Sequence, residues 1–446
     1  MSELQRYPDY KDSGVPWLGE IPSHWKAKRI KFVVNNINSK VDAVESDRRY
    51  FGLENIESFT GKLKNNIELV SEGIANEFEY GDILFGKLRP YLSKVYMSNL
   101  SGLVSTEALV LRPKESITPD FLKYYCLSPD FIDQVNGSTF GSKMPRASWE
   151  GISSFKIVYP SIQEQRIIVD FLENELGNID ALISKQQQLL DKLAEQRSAV
   201  ITHAVTKGLN PNAPMKDSGV EWLGRLPQHW LLTRLKNSIS SAQNGVWGNE
   251  AEEDDNDLVC IRVADFDRNK LIVKDNNLTI RNISKRDYAN RGLKVGDLLL
   301  EKSGGGDKQL VGCVVLNTLN DKSVCSNFVA KVSLADGMDP RYWTYHHNAL
   351  YAAKVNSRSI KQSTGIQNLD STLYFNELAC FPPIEEQRKI AYYLDKETQK
   401  VDKMSEAIKN IIVKLQEYRL ALITQAVTGK IDVRYISKDL DVEEAG

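Results

Sequence analysis

Residues Lys11–Lys31 read KDSGVPWLGEIPSHWKAKRIK, and residues Lys216–Lys236 read KDSGVEWLGRLPQHWLLTRLK. Thirteen of these 21 positions are identical at a spacing of 205 residues, so one head is written twice. A second pair follows. Pro160–Gly208 opens PSIQEQRIIVDFLENELGNID and Pro382–Lys430 opens PPIEEQRKIAYYLDKETQKVD, now at a spacing of 222. The order head, middle, tail therefore occurs twice, and the chain is a tandem duplication.

The middles differ. Tyr50–Leu63 (YFGLENIESFTGKL) and Leu258–Leu271 (LVCIRVADFDRNKL) share a pattern of apolar residues but few identities. Gly81-Asp82-Ile83-Leu84 and Gly296-Asp297-Leu298-Leu299 are one clear common landmark. Framing segments that agree around middles that do not imply one scaffold carrying two different readers. Two identical binding sites would have left the middles alike as well.

The repeated tail predicts a long helix. From Ile162 to Val205 there is no proline and one glycine, Gly177. Leu172, Leu176, Ile179, Ile183, Gln186, Leu190, Leu193, Arg197, Val200 and Ala204 form a heptad seam with two polar breaks. Its counterpart runs Leu394, Thr398, Val401, Ser405, Ile408, Ile412, Leu415, Arg419, Leu422 and Ala426, again with arginine in eighth place. At 1.5 Å per residue such a helix spans roughly 65 Å, with prolines placed for its start and Gly208 and Gly429 for its end. A seam this long must be covered. A homodimeric coiled coil would cover it; pairing of the two helices within one chain does so with a shared heptad phase. The second arrangement is preferred, and it predicts a pseudo-twofold molecule with the middles at opposite ends of an antiparallel stalk. The polar seam residues Gln186, Arg197, Ser405 and Arg419 would set the register. The expected divisions are 1–159 (first globular domain), 160–208 (first stalk helix), 209–381 (second globular domain), 382–431 (second stalk helix) and 432–446 (acidic tail).

The 446 residues carry 57 Lys+Arg and 59 Asp+Glu, a formal charge of −2, with 26% charged and 41% apolar residues. That is the composition of a soluble globular protein of two to four domains. Five scattered cysteines without a C-x-x-C pair argue for reduced thiols, against a disulfide framework and against a zinc site. Neither a signal-peptide core nor a run of 18 apolar residues is found, so the expected location is cytoplasmic.

Net charge alone says nothing about nucleic acid, because acid and base are segregated along the chain. Phe85–Tyr91 (FGKLRPY) sets two cations beside aromatics, and Gly137–Trp149 (GSTFGSKMPRASW) has Lys143 and Arg146 but no acid. Arg268–Lys294 has eight basic residues against two acidic ones. Lys354–Leu369 (KVNSRSIKQSTGIQNL) has Lys354, Arg358 and Lys361 with Ser, Gln and Asn donors and no acid. Glu250–Asp257, by contrast, holds six carboxylates in eight residues. A single basic run is ordinarily a solvated face. Both middles, however, place an acid-free, hydroxyl-rich Lys/Arg stretch just before the long helix, which points to phosphates and base edges. The candidate DNA-binding residues are Lys87, Arg89, Lys143 and Arg146 in the first copy, and Lys302, Lys308, Arg358 and Lys361 in the second.

No catalytic or metal constellation is evident. Ser303–Lys308 (SGGGDK) lacks P-loop spacing. Phe381-Pro382-Pro383-Ile384 lacks the Asn/Asp of an amino-methyltransferase motif and falls in the repeated helix start. His24 and His229, in the repeated P-x-H-W, read as packing residues beside Trp25 and Trp230.

The duplicated K-D-S-G-V-x-W-L-G-x-x-P-x-H-W heads, the P-x-I-x-E-Q-R-x-I segments and the Ala204–Thr206 and Ala426–Thr428 ends together resemble the DNA-specificity subunit of type I restriction–modification systems, over nearly the whole chain. The resemblance implies an α+β protein: two globular target-recognition domains separated by two long antiparallel coiled-coil helices, as an internal pseudo-twofold tandem repeat. It implies a non-enzyme that binds double-stranded DNA and two adenine N6-methyltransferase (M) subunits, which hold S-adenosylmethionine, and that a motor-nuclease (restriction/translocase, R) subunit can join. Each domain would read one half of an asymmetric bipartite site and the helices would set the spacer. No cofactor is expected on this chain itself. The competing readings are a coiled-coil adaptor without DNA affinity and a fused methyltransferase, the latter disfavoured by the missing motifs.

Overall fold

The computed structural model describes residues 5–44, 46–64, 73–141, 143–305, 309–363 and 365–435. Its helices are α1 (Pro119–Leu127), α2 (Pro129–Gly137), α3 (Trp149–Ser154), α4 (Ile162–Lys207), α5 (Lys285–Arg291), α6 (Pro340–Ala352), α7 (Ser371–Phe375) and α8 (Ile384–Val427). Two compact units result, residues 1–186 with 409–446 and residues 187–408. Each unit thus takes one half of α4 and one half of α8.

In the first unit an antiparallel sheet runs in the order Val34–Ile37, Ala108–Pro113, Ile83–Gly86, Val95–Met97. The second unit has the matching order Ile239–Asn244, Val329–Leu334, Leu298–Glu301, Val314–Leu316, extended by Ile272–Val273 and Phe266–Asp267. The landmark G-D-[IL]-L starts the same strand in each. Gly81 and Gly296 sit at φ +84° and +95°, a region costly for any side chain. The carboxylates of Asp82 and Asp297 accept from the backbone N–H of Glu79 and Lys294 and close the turn.

The heads lock onto the helix starts through the repeated E-Q pair. Glu164 accepts from Trp25 Nε1 at 3.0 Å and from the Tyr7 hydroxyl at 2.8 Å, and its other oxygen lies 2.8 Å from His24 Nε2. Glu386 repeats this with Trp230 at 2.8 Å and His229 at 2.6 Å. The two histidines are therefore hydrogen-bonding partners of a carboxylate, and not merely packing residues. Gln165 accepts from the backbone N–H of Thr118 and Gln387 from that of Asp339. Thr118 and Asp339 are the N-caps of α1 and α6, each followed by proline at the first helical position. One glutamate and one glutamine thus join head, helix start and globular domain in each copy.

The seam arginines are explained in the same way. Within the first unit, Arg419 of α8 pairs with Asp180 of α4 at 3.0 Å and donates to the carbonyls of Phe59 and Thr60. Within the second, Arg197 of α4 lies 3.5 Å from Asp402 of α8 and donates to the carbonyl of Asn269. Arg197 and Arg419, like Asp180 and Asp402, are 222 residues apart, so one antiparallel contact is built twice. In each unit a seam arginine ties the helix pair to a turn of the globular domain. Around these contacts Leu172, Leu176, Ile179 and Leu422 are buried in the first unit, and Leu193, Ala204 and Leu394 in the second. Among the described residues no helix is long and apolar enough to cross a membrane.

Candidate nucleic-acid interface

The strand opened by G-D-[IL]-L ends at Gly86 in one unit and Glu301 in the other. The chain beyond it pairs with the acid-free stretch singled out above. In the first unit Leu88 bridges Arg146, Arg89 N–H donates to Pro145 O at 2.8 Å, and Ala147 N–H donates to Lys87 O at 2.9 Å. In the second, Ser303 opposes Asn368, Gly304 opposes Gln367, and Leu369 N–H donates to Lys302 O at 2.8 Å. Both arms then enter a short capped helix: Ser148 caps α3 and Asp370 caps α7. In the second unit the arm Ile366–Leu369 also pairs with Ile360–Ser363, giving a three-stranded antiparallel ribbon.

This folding gathers Lys87, Arg89, Lys143 and Arg146 around one arm, and Lys302 and Lys361 around the other. Lys308 lies outside the described residues. Arg89 is exposed and left-handed at φ +52°, Lys143 and Arg146 are exposed, and Lys87 is half-buried. Arg358 stands apart on the turn at Val355–Ser359, 3.9 Å from Glu377. Acid-free in sequence does not mean acid-free in space. Glu107 holds Arg146 through Nε at 3.1 Å and Nη2 at 3.2 Å, and Lys361 lies 2.9 Å from Asp370. Lys302 donates to Asn244 Oδ1 at 2.9 Å.

Further groups stand beside the second arm that their sequence gave no means of placing. Trp247, Arg262, Ser303, Gly304 and Phe328 line a cleft of about 450 Å³, and the Arg281 guanidinium stacks over Trp247 at 4.7 Å. Their only sequence signal was the basic excess of Arg268–Lys294, which contains Arg281.

The arrangement offers donors and cations, and the buried thiols are poor nucleophiles. Burial pushes Cys260 up to about 11 and Cys313, Cys325 and Cys380 up to about 12. Among the described residues no cluster of His, Cys, Asp and Glu is suited to hold a metal.

Comparison with known proteins fits this geometry. Residues 22–192 match the family described as the type I restriction modification DNA specificity domain. The MjaVIII specificity subunit of Methanocaldococcus jannaschii is 22% identical over 94% of this chain and 95% of its own length. The StySPI specificity subunit of Salmonella potsdam is 21% identical over 74% of this chain and 70% of its own. Over most of its length the chain is thus similar to type I DNA-specificity subunits. A chain solved in work on complex assembly and conformational transition of the type I restriction–modification system shares the fold: TM-score 0.69 at 19% identity, covering 91% of this chain and 98% of that one. Two globular units, each holding one half of α4 and one half of α8, are therefore a fold that this chain shares with that protein. The paired arms differ in sequence on a common frame.

Proposed function

We propose that this chain is a DNA-specificity subunit that directs an adenine N6-methyltransferase to an asymmetric bipartite DNA site. Each globular domain reads one half-site, and the helix pair sets the number of unread base pairs between them. The observation that carries the reading is the doubled arm: identical backbone anchoring at Lys87–Ala147 and Lys302–Leu369, with different residues presented outward. Lys87, Arg89, Lys143, Arg146, Lys302, Lys308, Arg358 and Lys361 supply its cationic and base-edge contacts, those facing phosphate acting without regard to sequence.

Two M subunits are the expected partners, because a duplicated scaffold offers two equivalent docking surfaces, and an R subunit completes the complex where restriction accompanies methylation. S-adenosylmethionine belongs to the M subunits, and the complex acts on cytoplasmic DNA. Co-expression with the products of its neighbouring genes, followed by sequencing of methylated adenines, tests the proposal. Two unlike half-sites at fixed spacing are expected; no new methylation with a competent partner rejects the reading in favour of a protein adaptor.

A further inference from the structure

The two arms alternate strictly. Met144 and Arg146 are exposed while Pro145 is half-buried and Ala147 buried; Ile366 and Asn368 are exposed while Gln367 and Leu369 are buried. Ile366 and Asn368, two apart on the strand Ile366–Leu369, share a face; in the first unit Met144 lies in the bend that leads into the Arg146 bridge, so each arm again exposes one apolar and one polar side chain. Met144 and Ile366 occupy the same position, two residues before the arm's pairing residue, and are 51% and 50% exposed. Single exposed apolar side chains are commonplace, but here two unlike loops expose one at matched places.

The polar partners are each held by a residue suited to them. Glu107 grips Arg146 along the Nε and Nη2 edge, leaving the terminal Nη1/Nη2 edge directed away from the carboxylate. That edge matches the O6 and N7 acceptors of guanine in the major groove. At the position of Glu107 the second unit has Phe328: Lys87 N–H donates to Glu107 O as Lys302 N–H donates to Phe328 O. There the outward residue is Asn368, and it is Ser303, opposite it on the next strand, that donates to its Oδ1 at 2.6 Å. This turns the amide so that Nδ2 stays available, and Asn pairs bidentately with adenine N6 and N7. Leu88, the counterpart of Ser303, has no such hydroxyl. The carboxylate stands only where there is a guanidinium to orient, and the hydroxyl only where there is an amide.

We propose that Arg146 reads a guanine in one half-site and Asn368 an adenine in the other. Met144 and Ile366 each cover a thymine methyl two base steps away. On the second arm two strand residues advance about 6.8 Å, and two base steps advance the same distance at about 3.4 Å each; on the first, Met144 is placed by the bend before Arg146. A β-ribbon fits the major groove, and the thymine methyl is its apolar feature. The inference rests on the DNA-recognition reading and assigns residues within it.

The test uses the whole chain with its methyltransferase partner on duplexes carrying the recognised site. Wild-type complex that methylates no bipartite site would reject the underlying reading. Given such a site, Arg146→Ala is expected to lose about 10- to 100-fold discrimination at one G·C pair in one half-site. Asn368→Ala does the same at one A·T pair in the other half-site. Arg146→Lys separates base reading from a phosphate contact: it keeps the charge, so discrimination is expected to fall with little change in salt dependence. Replacing thymine by uracil two steps from each read base should weaken wild-type binding about fourfold, the value of one methyl group, and leave Met144→Ala or Ile366→Ala unaffected. Unchanged discrimination in the Arg146 and Asn368 variants, both effects falling in one half-site, or uracil acting equally on wild type and apolar variants would each overturn the assignment. All four side chains are exposed, so unaltered thermal unfolding of the variants is the accompanying control.

Discussion

α1 and α6 begin alike and end differently. Both start at a proline after a capped residue whose N–H meets a buried glutamine, Gln165 or Gln387. Seven residues on, α1 buries Tyr125 and Cys126, whereas α6 buries His346 and His347. Tyr125 finds the carbonyl of Lys156. His347 meets the Tyr374 hydroxyl at 2.7 Å, but neither ring nitrogen of His346 has a hydrogen-bond partner, packed as it is against Trp222, Tyr342 and Trp343. Where the frame must hold the helix start the two copies make the same bonds; two turns deeper, only volume and apolar surroundings are shared. The duplicated part is the joinery, and the domain interiors have diverged behind it.

The largest consequence is a difference in acid sensitivity. Burial pushes both histidines down to about 3, with His347 adding to the shift of His346. Below the unfolded value of about 6.5 the unfolded imidazoles take up protons that the folded ones refuse until about pH 3. Folded stability is therefore fully present above pH 6.5, falls as pH drops from 6.5 towards 3, and loses nothing more from this source below 3. At pH 5 the loss is about 2 kcal/mol per histidine and about 4 kcal/mol for the pair. Hydrogen exchange of the intact chain, followed separately for the two units and corrected for intrinsic rates, should show the second unit loosening first between pH 7.5 and 5. The variant His346→Phe with His347→Gln should remove the difference. Equal loosening of both units would break the comparison.

The seam arginines offer the next test. Arg419 is the more enclosed, with 8% of its side chain exposed against 14% for Arg197, and its ion pair is the shorter. Asp180→Ala leaves a buried guanidinium with carbonyls but no carboxylate and should cost about 3 kcal/mol. Asp402 is a third exposed, so Asp402→Ala should cost about 1 kcal/mol. Denaturant dependence of exchange in each unit measures both, and a larger effect at Asp402 would reverse the ranking.

Glu164 and Glu386 refine the same contrast. Glu164 is 8% exposed and serves Tyr7, His24 and Trp25, while Glu386 is 38% exposed and serves His229 and Trp230. Burial beside this carboxylate drives the Tyr7 hydroxyl far above its ordinary range, so it stays a donor at any working pH. Glu164→Ala strands two buried donors and should cost about 2 kcal/mol. Water can replace Glu386, and its alanine variant should cost about 1 kcal/mol. Equal losses would show that exposure does not govern this lock.

These cases also show what could be read from the chain alone. The repeat spacings 205 and 222 and the heptad phase located both helices, because periodicity is a local property. Arg197 and Arg419 stood out as polar breaks in an apolar seam, yet Asp180 and Asp402 did not, since a carboxylate beside the seam looks like any solvated residue. The Lys87 and Arg146 segments were singled out separately, and their pairing depends on a strand crossing that no local pattern encodes. Glu107, 39 residues from Arg146, and Glu377 were invisible for the same reason. Acid-free windows measure charge along the chain, whereas folding sets charge in space.

The smallest predicted difference follows from that distinction. Lys143 and Lys361 both flank an arm, and a linear reading makes them equivalent phosphate contacts. Asp370 lies 2.9 Å from Lys361, while among the described residues Lys143 has no carboxylate partner. A lysine already paired with a carboxylate displaces fewer counterions when it reaches a phosphate, because part of its charge is spent within the protein. Lys143→Ala should therefore lower the slope of log binding constant against log salt by about 0.9, the value for one phosphate contact. Lys361→Ala should lower it by clearly less, and neither should alter which bases are preferred. Titration of the methyltransferase-bound chain on its cognate duplex across a salt series gives both slopes. A slope change at Lys361 as large as at Lys143 would mean that Asp370 releases the lysine on DNA, and that the second arm rearranges on binding where the first does not.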